Sequence, residues 1–515
     1  MHFDTMSNNQ QKEKRLAKNT LLLYIRTFLV MAISLYTSRV ILRILGVEDF
    51  GVYNVVGGIV AMLSAFSGTL SSAISRYLTF ELGREDNEKL NLVFSTSITI
   101  LLFLAILILL IAEIFGYWFL NYEMNIPPGR LNAANWVLHC SIFAFIINLI
   151  SIPYNAAIIA HERMSAFAYI SIVEVVLKLV IVYSLSISPF DKLIVYAILS
   201  LFVAVSIRGI YGVYCKKHFS ECSWKFVYDK GLTKEMFSFA GWNLLGTGAY
   251  MLNTQGVNLL INLFFGVTLN AARGIAVQVD HAIMQFVNNF TTAIVPQITK
   301  SVAAENKTYL YTLLGKGTKY SYVLMLFFAV PLVVETSYVL SAWLGTVPEF
   351  TVIFTRLTII ASMINLLGTN LSTAAIATGR VKEYYIIIGG IGVLVFPFTY
   401  FAYKLGAPPE STYLIFIVIY VILLYLKLML ARKFLDFPIM TFVKEVLVKI
   451  LPCTIVSFGI TWGVTLIYAS SIIRLISVII LSIIIISIAI YFTCLEKSEK
   501  LYLKRRVLKR IGLIQ

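Results

Sequence analysis

Long apolar stretches fill this 515-residue chain almost end to end, and Lys and Arg gather in every second connection between them. A helix that crosses a bilayer needs roughly 20 apolar residues. Only helices or closed barrels satisfy their backbone groups in lipid. Runs such as Leu101–Ile111 and Ile472–Ile490 are continuous, not alternating, which selects helices over a barrel. We read about fourteen segments of this length, at 20–45, 50–79, 92–120, 132–159, 165–187, 190–215, 236–264, 268–295, 317–344, 352–377, 383–405, 411–430, 442–468 and 471–494. The expected fold class is an all-α polytopic membrane protein.

The odd-numbered connections, such as Gly46–Asp49, Asn121–Arg130 and Gly406–Glu410, are short and poor in basic residues. The even-numbered ones hold the charge: Arg84 and Lys89; Lys216, Lys217, Lys225, Lys230 and Lys234; Lys300, Lys307 and Lys316; Arg432 and Lys433. So do both ends of the chain. By the positive-inside rule both termini are cytoplasmic. Only 13% of the residues are charged and the mean hydropathy is +0.84, whereas a soluble domain carries about 25% charged residues. In a soluble chain the net charge of +16 would suggest nucleic acid. Here it is topogenic, and no RNP, zinc-finger or helix-turn-helix signature accompanies it, so no nucleic-acid partner is expected. The five cysteines show no metal-ligand spacing. Cys215 and Cys222 sit in a connection assigned to the cytosol, where a disulfide is not expected. The first 18 residues are polar and basic and no cleavable leader follows. The basic tail from Lys497 to Arg510 suits either a solvated terminus or a helix lying on anionic headgroups.

An internal repeat is visible at an offset of 220. Gly46-Val47 falls on Gly266-Val267, Ser71-Ser72-Ala73-Ile74 on Thr291-Thr292-Ala293-Ile294, Glu85 on Glu305 and Leu90 on Leu310. Six segments separate the copies, an even number, so the repeats are parallel. The expected layout is a cytoplasmic N-terminus (1–19), a six-helix bundle (20–215), a cytoplasmic linker (216–235), a second six-helix bundle (236–430), two appended helices (431–494) and a basic tail (495–515). Segments 1, 2, 7 and 8 would then line a polar space between the halves.

Polar residues are costly in lipid and usually face a bundle interior or a wet cavity. Segment 7 holds Asn243, Thr247, Asn253, Thr254, Gln255, Asn258 and Asn262. Segment 8 carries Gln278, His281, Gln285, Asn288 and Thr292 at steps of three and four, which share one helical face. Asp280 flanks that stripe, and Arg273 shares a face with Asp280. Two readings stand: interhelical hydrogen-bond glue, or the wall of a hydrophilic cavity. Segment 1 carries Arg26, Arg39 and Arg43; Arg43 can snorkel to the interface. Arginines held in the membrane suit a phosphate-bearing ligand, because the guanidinium fork binds phosphate bidentately. Candidate binding residues are therefore Arg26, Arg39, Arg273, Asn258, Gln278, Gln285 and Asn288. Candidates for ion coupling are Asp280, His281 and Glu174, although Glu174 with Lys178 also reads as a neutralising i,i+4 pair. Glu335 and Arg356 either pair across helices or sit at the interface. Walker A, GxSxG and HExxH sequences are absent, and the outer connections are too short to carry a catalytic domain. No enzyme activity, cofactor or metal is expected.

The opening Leu16-Ala17-Lys18-Asn19-Thr20, then Ser38-Arg39, the turn Leu45-Gly46-Val47-Glu48-Asp49-Phe50-Gly51-Val52-Tyr53 and Ser75-Arg76-Tyr77 resemble the Wzx-type polysaccharide flippases. Those belong to the multidrug/oligosaccharidyl-lipid/polysaccharide (MOP) exporter superfamily. The resemblance is sharp over about residues 16–90 and extends to the whole chain in layout. It implies a MATE-like fold of two six-helix bundles plus two helices, in a bacterial plasma membrane. It implies flipping of undecaprenyl-diphosphate-linked oligosaccharide units by alternating access, with H+ or Na+ as coupling ion. Implied partners are that polyprenyl-linked glycan, membrane lipids, and glycan polymerase and chain-length machinery. The family's commonly cationic cavity points by position to Arg26, Arg39 and Arg273. Three alternatives stand beside it: a multidrug exporter of the same superfamily, a peptidoglycan-precursor flippase, and a membrane enzyme of glycan assembly.

Overall fold

A computed structural model describes residues 2–83, 86–161, 163–227, 229–231, 233, 248, 251–495 and 500. The described residues form helices joined by short connections. The first helical stretch, His2–Gly83, is broken at Gly46, whose φ of 80° and ψ of 174° lie in a region open essentially to glycine alone. That break separates α1 (2–45) from α2 (47–83). There follow α3 (Asn87–Tyr122), α4 (Leu131–Ala160), α5 (Met164–Leu185) and α6 (Lys192–His218). A π-helical turn, Leu252–Gly256, leads into α7 (Val257–Phe265). Gly266 (φ 81°, ψ −175°) ends α7 and opens α8 (Val267–Ala303). The two glycines that the 220-residue offset superposes thus adopt the same glycine-only conformation at equivalent turns.

The second part of the chain holds α9 (Lys307–Val334), which breaks at Glu335 and continues over Thr336–Leu344. Then come α10 (Thr351–Ala377), α11 (Lys382–Lys404), α12 (Ser411–Leu435), α13 (Ile439–Ile467) and α14 (Ile472–Cys494). Among the described residues, eleven stretches are long and apolar enough to cross a membrane. One, Thr27–Val60, runs through the Gly46 turn and takes in parts of both α1 and α2. The sequence count of about fourteen covers more of the chain, because the first part of segment 7 and side chains of segments 1, 2 and 8 lie outside the described residues. The apolar run of segment 9 starts at 317, but its helix starts at Lys307. The amphipathic first turns there, with Lys307 and Lys316, hide the start from a reading based on apolar runs. The basic tail apart from Leu495 and Lys500, linker positions 228, 232, 234 and 235, and Asn243 and Thr247 lie outside the described residues.

The helices gather into two compact units, residues 1–271 and 272–515. In the first, α4 packs against the α1–α2 pair, α3 and α6, and α5 packs against the α1–α2 pair and α6. In the second, one cluster joins α8, α9, α10, α12, α13 and α14 through residues such as Ile283, Leu326, Met363, Leu428, Phe442 and Ile486. The appended helices α13 and α14 therefore share the core of the second unit. Outward faces are apolar: Leu107, Leu110, Ile111 and Ile114 on α3, and Ile473, Ile476, Ile480 and Ile484 on α14, are exposed. Such belts are stable only against lipid. The chain is a multi-pass membrane protein.

The linker is not a loose tether over its first part. Phe219 stacks on His161 with centroids 4.1 Å apart, and His161 Nε2 meets Glu221 Oε1 at 2.5 Å. Asn91 donates to the carbonyls of Glu221 and Ser223 at 2.8 and 2.9 Å. Lys225 N donates to Ser95 Oγ at 3.2 Å, and Trp224 Nε1 to Thr99 Oγ1 at 3.4 Å. The buried hydroxyl ladder of α3 (Ser95, Thr96, Ser97, Thr99) is where this segment docks.

Candidate functional site

In the first unit the polar residues converge on the Gly46 turn. Arg130 sits just before α4 and forks onto two carboxylates. Its Nε and Nη2 donate to Asp49 at 2.6 Å each, and Nη1 donates to Asp191 Oδ2 at 2.6 Å. Asp191 also caps α6, accepting from Leu193 N and Ile194 N at 3.0 and 3.2 Å. The Arg130 guanidinium and these amides hold the Asp191 carboxyl below its ordinary range. One arginine thereby ties the α1–α2 turn to the starts of α4 and α6. Sequence reasoning missed this cluster. The available signal was an arginine in an outer connection otherwise poor in basic residues.

The amides of α7 fasten the same region. Asn270 donates to the carbonyl and to the side-chain oxygen of Asn258 at 2.7 and 2.9 Å. Asn258 itself is buried and donates to the Asn54 carbonyl at 3.3 Å. Asn125 N donates to Asn262 Oδ1 at 3.0 Å, and Asn125 Nδ2 to the Leu263 carbonyl at 2.6 Å. A Cβ on Gly51 would lie 2.0 Å from the Val267 carbonyl oxygen, and one on Gly58 would lie 2.8 Å from Asn258 Nδ2. The α2 helix approaches the α7–α8 turn this closely only because both are glycine. Asn258 is thus engaged in joining helices, the glue reading for that residue.

In the second unit, the α8 stripe splits by face. Ile283 and Val287 are buried in the core. His281, Gln285 and Asn288 are exposed, and Gln278 is half-buried. The hydrophilic stripe therefore turns away from its own unit's core. Arg273 is buried, and its guanidinium meets the Tyr413 hydroxyl at 3.4 Å and lies 5.8 Å from that ring's centroid. Asp280 is half-buried, lies against the Ser362 hydroxyl of α10, and its Oδ1 has no hydrogen-bond partner. An unsatisfied buried carboxylate oxygen is costly in a fold that otherwise pairs its polar atoms.

The remaining candidates are dispersed. Arg39 is exposed on α1, and Arg26 lies outside the residues whose side chains are described. Glu174 and Lys178 pair at 2.6 Å on α5, both partly exposed, as a neutralising i,i+4 pair. Glu335 does not take Arg356. Its fully buried carboxylate takes Arg474 of α14 at 2.7 and 2.8 Å. Arg356 instead donates to the Val333 carbonyl at 3.0 Å and to Thr336 Oγ1 at 3.2 Å. Val333 and Thr336 flank the break in α9 at Glu335, and the Val333 carbonyl also accepts from Thr336 Oγ1 at 2.9 Å. No cluster of His, Cys, Asp and Glu among the described residues has metal-site geometry.

Residues 16–302 match the family described as polysaccharide biosynthesis protein. The chain belongs to that family. It is 22% identical over 325 residues to the uncharacterized membrane protein EpsK of Bacillus subtilis (strain 168), covering 62% of this chain and 63% of that protein. The aligned part thus spans just under two thirds of that relative. Among solved structures, the chain resembles the lipid II flippase MurJ in an inward closed conformation, with a TM-score of 0.65 at 14% identity over 91% of this chain and 98% of that one. It also resembles an inward-facing multidrug-resistance MATE transporter of the MOP superfamily, with a TM-score of 0.66 at 14% identity over 80% and 98%. The fold is that of MOP-superfamily transporters, and the Wzx-type resemblance read from the first turn agrees with family and fold alike.

Proposed function

We propose that this protein moves a polyprenyl-diphosphate-linked oligosaccharide across a bacterial plasma membrane for surface polysaccharide synthesis. The family match over residues 16–302 carries the reading. The fold supports it, because a solved structure of similar fold is named as a lipid II flippase. Both termini are cytoplasmic by the charge pattern, and the protein carries out no covalent chemistry. Transport proceeds by alternating access, which parallel repeats permit, with H+ or Na+ as the driving ion. The glycan requires a wet surface, which the His281–Gln285–Asn288 face offers. The diphosphate requires cations away from bulk water, for which Arg26, Arg39 and Arg273 are the candidates. Asp280 and His281 are the candidate couplers; the Lys178 pair weakens the case for Glu174.

Deletion of the gene tests this directly. The expected outcome is loss of surface polysaccharide, with lipid-linked glycan stranded on the cytoplasmic leaflet. Arg273→Ala should restore less polysaccharide than wild type at equal protein level. Normal surface glycan in the deletion strain, with a gain in sensitivity to cationic drugs, would replace this reading with that of a multidrug exporter, which the likeness to MATE transporters keeps in view.

A further inference from the structure

The apolar run of α12 has one exception. Between Ser411 and Ala431 the only charged residue is Lys427. At 1.5 Å per residue it lies about 24 Å along the helix from Ser411 and about 12 Å short of Leu435. A lysine at that depth can reach the interface by snorkelling, and would then be exposed. Lys427 is only 9% exposed, on the face that buries Phe416, Ile419, Leu423 and Leu430. The opposite face of α12, with Leu414, Val418, Val421 and Tyr425 exposed, is its apolar outward side.

Beside this lysine, α10 is broken. It runs over Thr351–Leu366 and resumes over Thr369–Ala377. Leu367 N and Gly368 N bond back only three residues, to the carbonyls of Ile364 and Asn365 at 3.2 and 3.1 Å. Gly368 has φ −95° and ψ −3°, a turn conformation that any residue adopts, so the glycine is not required by its backbone. It is required for space. A Cβ there would lie 2.6 Å from Lys427 Cδ and 3.0 Å from Lys427 Nζ. The lysine side chain therefore lies against the backbone of the break. Six residues earlier, Ser362 of the same helix bonds to Asp280, so α10 touches both Asp280 and Lys427.

The ionisable groups of the neighbouring elements are engaged or distant. Glu383 of α11 pairs with Lys433, and Asp436 beyond α12 pairs with Lys307. The Tyr384 hydroxyl bonds to Ser372, and Tyr385 packs edge-on against Tyr384. Arg356 donates to Val333 and Thr336, and Arg380 lies over the Phe434 ring. Tyr400, Tyr403, Lys404 and Glu410 belong to the far end of α11 and α12. Among the described residues Lys427 makes no ion pair. An ammonium buried without an anion is costly, whereas a free amine in the same place is not. Lysine can give up its charge when buried, and arginine cannot. We propose that Lys427 takes up and releases a proton during the cycle, and that its charge opens the Leu367–Gly368 break to water. The amine lone pair accepts a proton from hydronium, leaving water and an ammonium. Return of that proton to water restores the amine, and no other bond forms or breaks. The proposal rests on the reading that H+ drives transport, and adds a proton-carrying group to Asp280 and His281.

The test uses the full chain, purified in a neutral detergent, and needs no substrate. Hydrogen–deuterium exchange of the backbone over Ile364–Asn370 is compared between wild type and Lys427→Met at the same pH, so that the chemical exchange rate cancels. Lys427→Met keeps the length of the side chain and removes the charge, a change that buried sites tolerate. Its unfolding temperature should match or exceed that of wild type. At about pH 6 the wild-type segment should exchange roughly threefold faster or more than the variant's, and the two rates should converge toward about pH 9. Equal exchange at every pH overturns the proposal, and so does a difference of constant size. In the deletion strain, Lys427→Met and Lys427→Arg should each restore less surface polysaccharide than wild type at equal protein level. Full rescue by either one also overturns it. The flippase reading fails separately: it falls if the deletion strain keeps its surface glycan, whatever the exchange result.

Discussion

Arg130 shows what one side chain does here. Its planar fork satisfies two carboxylates that would otherwise repel, and lysine has no equivalent geometry. Because Asp191 carries a lowered folded-state value, it adds stability above the ordinary carboxylate value of about 3.9. That contribution is lost as pH falls through the lower folded value. Asp191→Asn should therefore unfold at a lower temperature than wild type near neutrality. The gap between the two should narrow as pH drops below about 4. A gap of constant size down to acid pH would show that the carboxylate's charge is irrelevant. Glu335 and Arg474 are the analogous pair of the second unit, more deeply buried and joining α9 to α14. Neither contact could be read in the sequence. Asp49, Arg130 and Asp191 are separated by 81 and 61 residues, and nothing in the local pattern around each one points to the others.

At the scale of elements, the helices were readable because lipid imposes a coarse rule, apolar run against charged loop. The ends of α1 at Gly46 and α7 at Gly266 fell where glycine follows the last apolar residue, and the offset repeat already paired them. What the rule could not supply was structure independent of apolar runs: the amphipathic start of α9, its break at Glu335, and the Phe219–Phe226 segment docked on α3. The paired turns make a sharp prediction. Gly46→Ala and Gly266→Ala each force a Cβ into backbone geometry that costs about 1–3 kcal/mol. Gly57 is helical, and a Cβ there meets nothing within 4 Å, so Gly57→Ala should be neutral or slightly stabilising. Unfolding temperatures of the three purified variants decide it: equal values would remove the turn geometry from the argument.

At the scale of the whole molecule, the question is what the polar face of α8 meets. Its core side, Ile283 and Val287, is spoken for by the second unit, while His281, Gln285 and Asn288 are exposed. The candidate site was readable here as a period of three and four, but the sequence left open whether the stripe joined helices or stood free. Within the second unit His281, Gln285 and Asn288 lie on an exposed face, whereas Asn258 of α7 is bound to its neighbours. A protein that carries a hydrophilic glycan needs such a face to be wet during part of its cycle, because bare amides and imidazole against lipid are costly. All five native cysteines are buried, so single cysteines can be added to the native chain. His281→Cys, Gln285→Cys and Asn288→Cys should react with a charged, membrane-impermeant thiol reagent. Val287→Cys, on the buried side, should not. Labelling of the three polar positions by apolar maleimides alone would place the stripe in lipid and withdraw it from the transport path. A rate that changes when lipid-linked substrate or an ion gradient is supplied would tie the same face to the working cycle.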